Sequence, residues 1–286
     1  MIIGFILLAL SIISIALIEW LCALYTMPWT FIVMVVAVPI FYLVWFLIYI
    51  IILFVWSLFI NKKKEINKPN KFYYWILRQT STQLVFLSNT KVHVSGLEKI
   101  PDNQRVLFVS NHTSNFDQIV LLKELKQSPI ICITKPENEK IPIMGAFIHK
   151  TGYITIDREN NFNALSSILK GVRYLKNDLA DMYVAPEGKR SKTGELLPFK
   201  AGALKIATKA EAPIVVISLL NCNKIHKNFP FKRTHVYMDV INVIYSEEYE
   251  TMNSVELSDF IRNEIKLNLD KRKWVKQKWI IYYLTH

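Results

Sequence analysis

His112 and Asp117 stand five positions apart at the end of an apolar run, Arg-Val-Leu-Phe-Val-Ser-Asn-His-Thr-Ser-Asn-Phe-Asp over residues 105–117. A neutral imidazole accepts a proton from a hydroxyl as that oxygen attacks a carbonyl. A carboxylate on the other ring nitrogen fixes the tautomer and stabilises the imidazolium that forms. A second cluster, Val-Ala-Pro-Glu-Gly-Lys-Arg-Ser at 184–191, has the composition of an anion site. Gly188 lets the backbone turn sharply and come close to a ligand, and Lys189, Arg190 and Ser191 supply donors suited to phosphate. A third segment, Gly152-Tyr-Ile-Thr-Ile-Asp-Arg158, ends in an arginine positioned to join such a pocket.

Each of these has a structural alternative. Five residues on one ideal helix separate two side chains by about 140°, so His112 and Asp117 meet only if His112 lies in a loop and Asp117 in the first turn of the next helix. Ser114 suits the N-cap of that helix, with Asp117 at its third position. An aspartate there is also favoured by the helix dipole with no catalytic duty. Glu187 to Ser191 can equally be an ordinary charged turn, and Arg158 can pair with Asp157 or Glu159 at the surface. Neither a G-x-S-x-G serine nor P-loop spacing is present, so an activated hydroxyl belongs to the substrate.

The elements that must position these residues follow from periodicity. Short β-branched runs predict strands at Val106–Ser110, Ile130–Thr134, Tyr153–Ile156, Met182–Ala185, Ile214–Leu219 and Val236–Tyr245. Helical patterns fall at about 71–88, 115–126, 161–176, 200–210 and 254–270. This alternation predicts an α/β domain with a mainly parallel central sheet flanked by helices. Ligand sites in such sheets lie at the carboxyl ends of strands, where both chemical clusters fall. Ala212-Pro-Ile-Val-Val-Ile-Ser218 reads as a core strand.

The first 60 residues are of a different kind. The chain is 52% apolar with a mean hydropathy of +0.23. The excess is concentrated in residues 1–60, whose single charged side chain is Glu19. Two spans long enough for a bilayer fit there, roughly Ile2 to Leu24 and Trp29 to Ile60, the second interrupted by Pro39. Trp20, Pro28 and Trp29 mark the join. A cleaved signal peptide is excluded by the length and by the lack of a cationic start. The chain therefore divides into a two-helix membrane anchor (1–60), a basic linker (61–70) and a catalytic domain (71–286).

All 35 Lys and Arg follow residue 60. Lys62, Lys63, Lys64, Lys68 and Lys71 beside the anchor predict a cytoplasmic domain drawn to anionic lipid. No helix-turn-helix, zinc-finger or RNA-binding signature is present, so the basic balance is not that of a nucleic-acid binder. Cys22, Cys132 and Cys222 lack metal-ligand spacing and fit a reducing compartment. The basic, aromatic stretch from Asp270 to Leu284 is either a further lipid contact or a packed terminal helix.

Four segments in order resemble the blocks of the glycerolipid acyltransferases: Asn111–Asp117, Gly152–Arg158, Pro186–Ser191 and Ala212–Ile217. The chain looks most like the bacterial 1-acyl-sn-glycerol-3-phosphate acyltransferases, from roughly residue 85 to residue 245. The resemblance implies His112 as general base and Asp117 as its partner. Arg158, Glu187, Gly188, Lys189, Arg190 and Ser191 would bind or frame the substrate phosphate, and the block around Pro213 would help build an acyl-binding core. It further implies transfer from acyl carrier protein or a coenzyme A thioester to lysophosphatidate at a membrane, without metal or cofactor. Two positions depart from the family pattern: Lys189 stands where threonine is common, and Thr113 where glutamine is frequent. Glycerol 3-phosphate or another lysophospholipid remains an alternative acceptor, and an inactive lipid-binding protein an alternative class. The sequence does not name the oxyanion donors; backbone amides near Gly188 or at the helix start near Ser114 are candidates.

Overall fold

The computed structural model describes residues 1–22, 30–64, 66–126, 128–156 and 161–285. Two helices open the chain, α1 (Ile2–Leu21) and α2 (Thr30–Leu58). Both are long and apolar enough to cross a membrane, with mean hydropathies of 2.6 and, over Met34–Leu58, 2.8. Helix α2 runs through Pro39 rather than breaking at it. Proline deletes one backbone bond, which apolar helices tolerate when neighbours support them, and α1 packs alongside with Ser14 Oγ accepting from Trp45 Nε1 at 3.1 Å. Pro28 and Trp29 lie outside the described residues.

Seven strands form one sheet: β1 (Thr90–Ser95), β2 (Leu107–Ser110), β3 (Ile130–Thr134), β4 (Ile154–Thr155), β5 (Asp181–Val184), β6 (Ile214–Leu220) and β7 (Thr234–Ile244). Their order is β1-β7-β6-β2-β5-β3-β4, and every neighbouring pair is parallel except β6 with β7. The central strands read as continuous apolar runs because both faces are covered; all four residues of β2 and of β5 are buried. Strand β1, Thr-Lys-Val-His-Val-Ser, is an addition to the sequence-based expectation. It lies at the sheet edge, where a half-polar strand is tolerated. The expected strand at Tyr153–Ile156 shortens to the two residues of β4.

The covering helices are α3 (Lys71–Leu87), α4 (Phe116–Glu124), α5 (Met144–Thr151), α6 (Asn161–Lys176), α7 (Lys205–Ala210), the one-turn α8 (Ile225–Asn228) and α9 (Ser246–Tyr249), and α10 (Ser254–Thr285). The helix expected at 200–210 begins as a 3₁₀ turn over Ala201–Leu204. Helix α10 continues 15 residues beyond the expected end at 270. Its buried stripe among the described side chains is Leu257, Ile261, Ile265 and Leu269, and no Gly or Pro follows to end the helix.

The anchor is fastened to the domain through α3 and α5. Leu53 and Ile60 pack with Ile76, Ala146 and Phe147, while the Tyr49 and Thr80 hydroxyls bond at 2.6 Å and Tyr42 donates to Gln83.

Candidate active site

Strand β2 delivers Asn111 and His112 at the carboxyl edge of the sheet. Asn111 is buried and bonds both backbone groups of Leu219 on β6, donating to its oxygen and accepting from its nitrogen, each at 2.8 Å. The side chain thus continues the ladder for one residue after β2 ends, and it fixes where His112 begins.

Asp117 lies in the first turn of α4, fully buried. Its carboxylate points back at the loop rather than capping its own helix. Oδ2 accepts from His112 Nδ1 at 2.8 Å, from Thr113 N at 2.7 Å and from Ser114 N at 2.8 Å. An ionised carboxylate only accepts, so Nδ1 is the donor, and in the neutral ring Nε2 then keeps its lone pair. Nε2 has no protein partner among the described residues, and the ring is 18% exposed. Beneath the carboxylate, burial and then the Asp117 charge push the Cys222 thiol and the Tyr183 hydroxyl well up. Both stay neutral.

The turn after β5 holds His112 from the other side. Pairing of β2 with β5, Leu107 opposite Met182, brings the two strand ends together. His112 N donates to Glu187 Oε1 at 2.7 Å, and His112 O accepts from Ser191 N at 2.8 Å. The second Glu187 oxygen takes Leu197 N at 3.1 Å. Both oxygens of Glu187 are therefore used by the chain itself, and its role here is to frame the loop. Burial pushes its pKa up, opposed by the two N–H donors. Ser191 is likewise internal, with Oγ accepting from Gly194 N at 3.1 Å. Gly188 has φ +71, a conformation that favours glycine.

His112 lines a cavity of about 590 Å³ with Lys135, Lys189, Arg190, Lys192 and Lys227. No Asp or Glu is among its described walls. A smaller cavity of about 250 Å³ shares Ile133, Val184, Ala185 and Gly188 with it, and is otherwise walled mainly by Ile156, Ile168, Ala203 and Ile206.

A family model described as Acyltransferase matches residues 91–220, which hold all of this geometry except the cations beyond residue 220. That segment is similar to the acyltransferases over slightly less than half of the chain. The chain is similar to proteins named 1-acyl-sn-glycerol-3-phosphate acyltransferase. One from Borreliella burgdorferi is 27% identical over 194 residues, covering 66% of this chain and 76% of its own. One from Escherichia coli is 32% identical over 126 residues, covering 42% of this chain and about half (51%) of its own. The fold matches the crystal structure of the 1-acyl-sn-glycerophosphate acyltransferase of Thermotoga maritima with a TM-score of 0.60 at 22% identity, covering 71% of this chain and 80% of that one.

Lys189 and Arg190 are exposed on the cavity wall beside His112. Arg158 lies outside the described residues. Sequence reasoning missed Lys135, Lys192, Lys227 and the clamp made by Asn111. Lys135 was within reach of the rule that already found His112, because it directly follows the carboxyl end of β3. The expected oxyanion amides are occupied: Thr113 and Ser114 N–H serve Asp117, and Gly188 N donates to Ala185 O at 3.1 Å. Among the described residues no serine or cysteine side chain bonds His112 Nε2, so the arrangement suits activation of an external hydroxyl next to an anion.

Proposed function

We propose that this chain transfers an acyl group from a thioester, on acyl carrier protein or coenzyme A, to the sn-2 hydroxyl of 1-acyl-glycerol 3-phosphate. The observation that carries the reading is the His112–Asp117 pair on the wall of a cavity with five cationic side chains and no carboxylate. The names of the relatives support the same acceptor.

His112 Nε2 takes the hydroxyl proton while the oxygen attacks the thioester carbon. The resulting tetrahedral oxyanion needs hydrogen-bond donors placed for it. Collapse breaks the carbon–sulfur bond, and the imidazolium returns its proton to the departing thiolate. Asp117 keeps the ring oriented throughout. The acceptor phosphate is held by Lys189 and Arg190 together with Lys135, Lys192 and Lys227, and the apolar side cavity receives an acyl chain. The reaction as written needs no cofactor. Helices α1 and α2 hold the site at the membrane, where substrate and product reside, and the lysines from Lys62 to Lys71 keep the domain on the cytoplasmic face.

The reading is tested with membranes carrying the protein, a labelled acyl thioester, and lysophosphatidate, glycerol 3-phosphate or lysophosphatidylglycerol as separate acceptors. Label in phosphatidate from lysophosphatidate alone is expected. Transfer only to another acceptor would replace the substrate and keep the chemistry.

A further inference from the structure

A third cavity opens on the far side of the His112 loop and has no part in the assignment above. It holds about 380 Å³ and shares Thr113 and Asn223 with the cationic cavity. One wall is apolar, from Leu219 and Leu220 at the end of β6 and Leu269 on α10. Thr193, Gly194 and Glu195 also line the cavity, in a turn shaped by the Gly194 N bond to Ser191 Oγ and by Gly194 at φ +84. Lys273 Nζ reaches Glu195 Oε1 at 3.5 Å, so an ion pair spans the cavity from α10 to that turn.

The charge balance separates the two compartments. The cationic cavity lacks a described carboxylate, whereas this one is lined by Glu195 together with Lys224 and Lys273, and Asn223, Thr113 and Thr193 add amide and hydroxyl groups. Such a lining suits a neutral chain of amides better than a free phosphate. The proposed reaction leaves one substrate part without a place, the arm that carries the thioester sulfur. That arm is a linear run of amide and hydroxyl groups ending in a phosphate, and it is common to acyl carrier protein and coenzyme A.

We propose that this cavity binds the phosphopantetheine arm of the acyl donor. Amide groups lie along Asn223 and Thr193, the phosphate end meets Lys273, and the thioester emerges past Thr113 beside His112. This assignment rests on the transferase reading and adds the donor site to it.

The test uses two exposed positions, Lys273→Ala and Thr193→Trp, in the full-length membrane protein. Three donors with the same acyl chain are compared: acyl-CoA, acyl–acyl carrier protein, and the acyl thioester of N-acetylcysteamine, which lacks most of the arm. The KM for the full-arm donors should rise about tenfold, the scale of one lost charge-assisted hydrogen bond. The KM for lysophosphatidate should stay at the wild-type value, and with the truncated donor wild type and variants should coincide. A response to only one full-arm donor would identify the carrier and support the site. Equal losses with the truncated donor, a raised acceptor KM, or no change with any donor would overturn it. Absence of transfer from every thioester by the wild type would instead remove the transferase reading itself, and the donor site with it.

Discussion

The main-chain N–H of His112 rests on the Glu187 carboxylate at 2.7 Å, a contact between residues 75 positions apart. The base and the turn of the cationic cluster are thus one mechanical unit. Ser191 closes it by donating to His112 O at 2.8 Å. Loss of Glu187 therefore acts first through the position of His112.

Glu187→Ala leaves the half-buried N–H groups of His112 and Leu197 without this acceptor. Each costs about 1–3 kcal/mol, so a large drop in Tm is expected together with weaker turnover. Full activity at wild-type Tm would contradict the framing role.

Glu187 also gives a pH signature. Its folded-state pKa is raised from the ordinary 4.5 by burial. A raised carboxyl contributes stability that is present below its unfolded pKa and lost as pH rises through the folded value. This term should be lost as pH rises from the ordinary 4.5 through the raised folded value in a plot of Tm against pH, and Glu187→Gln should lack that step. An identical profile in the variant would contradict it.

Asp117→Asn replaces an acceptor of three donors with a group that is half donor. The amide favours the wrong imidazole tautomer, so kcat should fall by roughly 10²–10⁴-fold. Steady-state rates on folded protein check this, and a loss under about threefold would count against the pairing.

Arg190 lines the cationic cavity at an exposed position. Arg190→Ala should raise KM for the phosphorylated acceptor by about 10–100-fold, the range of one charge-assisted hydrogen bond. Use of a monoacylglycerol lacking phosphate should be unaffected. Equal losses on both acceptors would remove the phosphate role.

Much of this arrangement is legible in the sequence. Strands β2, β3, β5 and β6 announce themselves because they are buried on both faces and need unbroken apolar runs. Edge strand β1 does not, since alternate residues such as Lys91 and His93 face away from the core and its pattern resembles a loop. Eight-residue α5 is too short for its periodicity to stand out. The His112–Asp117 spacing suggests a base and its orienter, and Ser114 and Asp117 mark the start of α4 to within a residue. That Glu187 supports His112 is not legible, because it depends on β2 pairing with β5 across 75 residues. Nor is Lys227, which reaches the cavity from the one-turn helix α8 only after the sheet is ordered.

The most direct test of the account is acyl transfer to lysophosphatidate by wild type and His112→Ala, at equal amounts of folded protein in the same membranes. Labelled phosphatidate from the wild type and a loss of at least about 10²-fold in the variant is the predicted result. Near-normal turnover by His112→Ala would contradict the assignment of the base and, with it, the central claim.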